Sequence, residues 1–277
     1  MTKDNERNTM QPPTSAGRIR SGLHMIFCAA LLGGFSSAAS AQDTQHYEGT
    51  ATHVDGHVIY EEEHFLFDDH GVRTRLVLYR CPSGQPFARK WVRDVPNAEA
   101  PDFDLVDART GYREGVRGSQ GKREIYVQAD RDAPLRSAPL AEYANAVIDA
   151  GFDAYVRDHW NDLGTSSGTR IVFAVPSRLD YVALRLDDAN SGARGSVRHL
   201  RLSMDAWYGF AVPSIELTYA TADRRLLRFE GLSNIHDAAG KEQRVRIDFS
   251  RSASVPAPSP QDIQRAAALP LAQTCPG

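Results

Sequence analysis

The chain has 277 residues, 42% of them hydrophobic, and a formal net charge of −3. That length holds one large domain or two small ones. A mildly acidic chain with interspersed charges lacks the basic footprint of a nucleic-acid or anionic-membrane binder, and no run is long and apolar enough for a transmembrane helix.

The N-terminal region reads as an export signal. Arg18 and Arg20 precede an apolar run from Met25 to Phe35, which leads into small residues. The run has the length of a signal-peptide core and is too short to span a bilayer. Ala39-Ser40-Ala41 supplies an A-x-A cleavage pattern, so residues 1–41 are expected to be removed between Ala41 and Gln42. Four basic and two acidic residues leave with them, which takes the rest of the chain to about −5. The expected location is the periplasm or the outside of the cell. Two cysteines remain, Cys81 and Cys275, and an oxidising compartment favours a disulfide between them. Neither belongs to a C-x-x-C redox motif.

From 47 to 95 the sequence is a meander of hairpins. HYEGTATHV ends at Asp55-Gly56, HVIYEEEHFLFDD turns at His70-Gly71, and VRTRLVLYR runs into a Cys-Pro-Ser-Gly turn before QPFARKWVRDV. These segments are rich in Val, Ile, Tyr, Phe and Thr, as strands are. PNAEAPDFDLVD, with its two prolines, reads as an irregular connection. RTGYREGVR and KREIYVQAD form a further hairpin.

The period then changes. Leu140, Tyr143, Ala144, Val147, Ile148, Gly151, Phe152, Tyr155, Val156, His159, Trp160 and Leu163 fall at helical spacing. This predicts an amphipathic helix over about 139–163, with Ser137 as N-cap, Pro139 in the first turn and Gly164 as the stop. Its other face, Glu142, Asn145, Asp149, Asp153, Arg157 and Asp158, is predicted to meet solvent. Gly151 inside it implies a bend or a close neighbour.

Period two returns after Gly168. DYVALRLDD sets Val182, Leu184 and Leu186 on one face; VRHLRLSM aligns Leu200, Leu202 and Met204; QRVRIDFS aligns Val245, Ile247 and Phe249. One apolar and one polar face mark an antiparallel sheet. The Pro/Ala-rich tail, 251–277, is expected to drape on the surface with one short helix after Ser259-Pro260. The fold class is therefore mainly β (α+β). Residues 42–250 form a single antiparallel domain, a large curved sheet or incomplete barrel of about 11 strands, with the one long helix on its concave face.

Several stretches carry candidate chemistry. Gly164 to Gly168 spells G-x-S-x-G, but a nucleophile elbow needs a strand before the serine and a helix after it. Here the order is reversed, and the stretch reads as a loop. Glu61-Glu62-Glu63-His64 is the densest titratable run; Tyr60, Glu62 and His64 share a strand face, and an acid beside a histidine forms a coupled pair. Asp102, Asp104 and Asp107 lack the glycine and closing glutamate of a calcium loop. His159 reads as a packing residue. The reading assigns no catalytic residue, metal site or cofactor.

Two stretches, APDFDLVDARTGYREGVR at 100–117 and the helical segment running into RIVFAVPSRLDYVALR at 170–185, resemble uncharacterised exported proteins of Gram-negative bacteria. The layout of strand meander, helix and strand meander looks like the unclosed half-barrels of periplasmic lipoprotein carriers, which hold acyl chains. Those carriers usually have a helix at the mature N-terminus, and here strands are expected almost at once after the cleavage site. The resemblance implies a lipid or other hydrophobic ligand between sheet and helix. Phe152, Tyr155, Val156 and Trp160 would contact it, and Tyr60, Glu62 and His64 would anchor its polar part. The alternatives are an envelope structural protein that binds another envelope protein, and a hydrolase built on Glu62 and His64.

Overall fold

The computed structural model describes residues 44–119, 121–163, 168–189, 195–205, 214–250 and 257–276. The expected leader, its expected Ala41–Gln42 cleavage junction and residues 164–167 lie outside these segments. The first half of the chain forms β1 (Gln45–Thr52), β2 (Val58–Asp69), β3 (Val72–Arg80), β4 (Pro86–Arg93), β5 (Asp102–Asp107), β6 (Arg113–Ser119), β7 (Lys122–Gln128) and β8 (Arg136–Pro139). The second half forms β9 (Ala146–Val147), helix α1 (Gly151–Asp158), β10 (Thr169–Val175), a 3-10 turn (Pro176–Arg178), β11 (Asp180–Asp188), β12 (Val197–Met204), β13 (Ile215–Ala220), β14 (Leu226–Ser233), β15 (Gln243–Phe249) and helix α2 (Pro260–Ala268).

All 15 strands belong to one sheet, ordered β8 through β1, then β15 down to β9. Every hairpin neighbour in the chain is a neighbour in the sheet. The first and last strands pair antiparallel, Gly49 opposite Phe249 and Ala51 opposite Ile247. β9 joins β10 in parallel. The circuit is therefore complete except at one seam, between β8 and β9. There the two sheet ends meet through side chains. Leu140, Ala146 and Ile148 are buried with Val116 and Ile125 from one end and Ala174 from the other. The Ile148 amide donates to the Glu99 carbonyl at 3.1 Å, and Tyr143 meets Tyr181 edge-on at 5.2 Å.

This seam corrects the expected long helix. Residues 139–148 are not helical; Ser137 and Pro139 lie in β8, and α1 covers only eight residues. The apolar residues at helical spacing are indeed buried, but Leu140, Ala146 and Ile148 are buried by the seam. Asp149 takes a left-handed backbone, φ 45°, which interrupts any helix running through it. Gly151 has the close neighbour its position implied: a Cβ there would lie 2.1 Å from the Glu99 carbonyl oxygen. Spacing alone shows that residues are buried, not what buries them. The strand count is corrected as well. β8 and β9 were not anticipated, and PDFDLVD is strand β5, with Phe103 and Leu105 buried and Asp102 and Asp104 half-buried between them.

The two halves of the sheet are covered differently. On β2–β4 both faces are buried. The outer face, with Phe65, Leu76 and Leu78, packs under Ile263 and Ala266 of α2. Ser259 caps α2 in a reciprocal capping box with Asp262, worth about 1 kcal/mol. Beyond α2 the tail is fixed to the turn after β3 by the Cys81–Cys275 disulfide, with Cα atoms 5.4 Å apart. The outer face of β12–β15 is instead lined by exposed ion pairs, Arg201–Glu216 and Arg228–Asp248. The inner face of β11–β13 carries Leu186, Leu200, Leu202, Leu217 and Tyr219, against which α1 packs Tyr155 and Val156.

Candidate ligand chamber

The inner face of the sheet encloses two adjoining cavities. The inner one has a volume of about 450 Å³, and the outer one, which opens past the ends of β1, β3 and β15, about 710 Å³. Both fall in the range of about 300–1,000 Å³ usual for small-molecule sites. They share His64, Arg75, Ala150, Asp153, Leu226 and Phe249, which form a throat between them.

The inner chamber has two unlike walls. β2, β3, β4 and β6 contribute Glu62, Arg75, Tyr79, Lys90 and Glu114. Opposite them, β10–β14 contribute Phe173, Leu184, Leu202, Leu217 and Phe229. α1 reaches the chamber with Phe152 and Asp153, and the turn before it with Asp149.

The polar wall is mostly paired. Glu62 Oε2 lies 2.8 Å from His64 Nε2, and the Tyr47 ring stacks on His64 at 4.5 Å. Lys90 Nζ lies 3.0 Å from both carboxylate oxygens of Asp149, to which Asn234 donates at 3.3 Å. The Tyr112 hydroxyl donates to Glu114 at 2.7 Å. Arg157 lies 3.0 Å from Asp153 one helical turn away. Such pairing is what makes buried charge tolerable.

Burial sets the titration of this wall. It pushes the Glu114 carboxyl up to about 7, with Tyr112 and Lys90 pulling the other way. It lowers His64 despite the Glu62 carboxylate beside it, so the imidazole is held neutral. Burial also opposes the charge of Arg75, but the fields of Tyr47, Asp153, Asp149 and Asp94 outweigh it and raise the guanidinium above its ordinary value. Among the described residues, Arg75 has no hydrogen bond or ion pair with any side chain.

The structure divides the seven residues expected to meet a ligand. Glu62, His64 and Phe152 line the chamber. Tyr60 is fully buried in the core behind it, its hydroxyl bonded to Ser233 at 2.9 Å. Tyr155 and Val156 are buried against the apolar half of the sheet. Trp160 lies beyond the end of α1, edge-on to Tyr219 at 6.0 Å and under the Arg198 guanidinium. The reason is the shortness of α1: its apolar stripe packs on the sheet, and its polar side, expected in solvent, carries Asp153 into the cavities. Asp149 likewise turns inward.

Sequence reasoning missed Arg75, Lys90, Glu114, Asp149 and Asp153. For Arg75 a signal existed: in VRTRLVLYR it alternates in step with Val77 and Tyr79, which are buried. The sequence also passed over H-x-D-x-H across the first hairpin turn. His53, Asp55 and His57 bring their ligand atoms within 4.8 Å of one another, with Asp55 2.5 Å from the His57 ring and 3.3 Å from the His53 ring. Hydrogen bonds from the His57 amide and ring hold the Asp55 carboxyl below its ordinary range. The three aspartates of β5 do not converge. Asp102 takes Arg123, Asp104 takes the Tyr126 hydroxyl and Asp107 takes Arg109. The G-x-S-x-G letters follow α1 and precede β10, the order opposite to a nucleophile elbow.

No described helix is long and apolar enough to cross a membrane. The sequence matches no protein-family model and no curated protein. Among solved structures it is similar to the crystal structure of a DUF1329 family protein from Desulfovibrio piger ATCC 29098. The identity is 11%, over 79% of this chain and 89% of that chain, with a TM-score of 0.22. A likeness at that score carries no argument about function.

Proposed function

We propose that this chain is an exported periplasmic protein that binds a lipid or another hydrophobic molecule in the chamber between the two walls of its sheet. The observation that carries this reading is the chamber's apolar wall. A void of about 450 Å³ is lined on one side by Phe173, Leu184, Leu202, Leu217 and Phe229, residues that a core without a ligand would pack against one another. The compartment is supported by the Cys81–Cys275 disulfide, which belongs in an oxidising environment, and by the leader-like first 41 residues. The geometry favours binding over hydrolysis. Among the described residues no hydroxyl bonds to His64, and its Nδ1, which has no partner, is shielded from solvent.

Native mass spectrometry of the protein purified from the cell envelope tests the reading. A co-purifying mass of lipid size is expected, released on unfolding. Repeated absence of any such mass favours the alternative, an envelope protein that binds another protein through its surface.

A further inference from the structure

We propose that the throat of the chamber is a subsite for one acidic headgroup, a carboxylate or a phosphate monoester, which Arg75 binds while a single apolar chain enters the inner chamber. This rests on the binding function proposed above and specifies the ligand class.

Three observations converge on Arg75. It stands where the two cavities share their lining, so a group bound to it sits between the opening and the inner chamber. It is also the one cation in the chamber left without a direct partner among the described residues. Lys90 has Asp149, Arg157 has Asp153, and the neutral His64 has Glu62. The carboxylates around Arg75 favour its charge, but among the described residues none bonds to it directly, which leaves its planar fork to match carboxylate or phosphate oxygens.

The third observation is the distribution of charge along the path. Apart from Arg75 itself, the outer cavity is lined among the described residues by three arginines and three aspartates, which balance. Beyond Arg75 the inner chamber holds Lys90 as its only further lysine or arginine among the described lining residues, against Glu62, Glu114, Asp149 and Glu242. An anion therefore meets no net repulsion as far as Arg75 and is disfavoured past it. The apolar wall of β10–β14 lies past that point. An amphiphile thus enters tail first and stops with its acid on Arg75.

Binding of three single-chain probes to the full chain, below their micelle concentrations, tests this: tetradecanoic acid, tetradecyl phosphate and tetradecanol. Isothermal calorimetry on the wild-type protein is expected to give at least one of the two acids binding ~10-fold or more tightly than the alcohol, the scale of a hydrogen bond to a charged group. Preference for the carboxylate assigns a fatty-acid type of ligand; preference for the phosphate assigns a lysophospholipid type. In Arg75→Gln the advantage over tetradecanol should fall to about 2-fold or less. Arg75→Lys, which keeps the charge without the fork, should retain an intermediate advantage and serves where Arg75→Gln does not fold. Equal binding of acids and alcohol by the wild type, or a full acid advantage surviving in either variant, overturns the subsite and leaves the hydrophobic-ligand function standing. If none of the three probes binds, both fall together.

Discussion

The two walls of the chamber are built from the same kind of strand and solve opposite problems. β2–β4 put Glu62, Arg75 and Lys90 inward, and a second set of apolar residues, Phe65, Leu76 and Leu78, faces outward. That outer face would be a greasy surface if α2 did not cover it. β10–β14 do the reverse: their inner face is aliphatic and aromatic, and their outer face is left to water. A strand with period two has two faces to assign. The half that makes a polar cavity wall therefore needs a second covering layer, and the half that makes an apolar wall does not. This explains why EEEHFLF mixes acids and aromatics on both faces. It also explains why the chain spends its C-terminal segment on a short helix tied down by a disulfide.

The covering layer is where the comparison breaks most easily. Cys275→Ser opens a loop closed across a sequence separation of 194 residues and should cost about 4 kcal/mol of unfolding free energy under oxidising conditions. Urea titration by circular dichroism measures it. A cost below about 1 kcal/mol would mean that α2 holds to β2–β4 without the covalent tie.

Two leucines of the apolar half separate packing from cavity lining. Leu200 is fully buried and lies under the α1 region, away from the chamber lining; Leu184 is almost as buried but lines the chamber. Leu200→Ala should destabilise by about 3 kcal/mol and Leu184→Ala by about 1–2, because one side of Leu184 already faces a void and has fewer neighbours to lose. Equal costs in ligand-free protein would show that the apolar wall closes on itself.

The polar half should carry a pH dependence that the apolar half lacks. Glu114 is raised to about 7 from an ordinary 4.5. The unfolded chain therefore loses this proton before the folded one does, and stability falls as pH rises from about 4.5 and levels off above about 7, by about 3 kcal/mol in all. His64 acts on the acid side. Its lowered value means that the unfolded state takes up the proton first, so stability also falls as pH drops below about 6.5. The two effects oppose each other between about 4.5 and 6.5, so unfolding titrations at pH 5, 6.5 and 8 should show Glu114→Gln losing the decline with rising pH and keeping the gain with rising pH that His64 contributes. A decline with rising pH that persists in Glu114→Gln would place the titration on another group.

What the sequence revealed follows the same division. The apolar wall was legible: Leu184, Leu202 and Ile247 line the chamber as strand alternation implied. So were the hairpin turns, the short helix after Ser259-Pro260 and the cysteine pair, because each is written in adjacent residues or in a count of two. The polar wall was not legible beyond Glu62 and His64. Lys90 and Asp149 are 59 residues apart, and Asn234 is a further 85 from Asp149. No local pattern announces such partners. The long helix failed for a related reason. Hydrophobic spacing reports that Leu140, Ala146 and Ile148 are buried, and the seam between two sheet ends buries them as completely as a helix face would.

The smallest expected effect concerns the outer surface of the apolar half. Arg228–Asp248 and Arg201–Glu216 are cross-strand pairs at 2.6 and 2.7 Å, all four side chains at least a third exposed. Close geometry invites a large stability assignment, yet water screens these charges and ordering two long side chains offsets most of the attraction. A double-mutant cycle on Arg228 and Asp248 should give a coupling of about 0.5 kcal/mol or less, falling further in 0.5 M salt. The buried Lys90–Asp149 pair, cut by Lys90→Met alone, should instead cost about 3 kcal/mol, because an unpaired carboxylate is left inside. If the surface pair proves as strongly coupled as the buried one is costly to break, the outer face of β12–β15 is not simply a solvated surface, and the contrast between the two halves has to be redrawn.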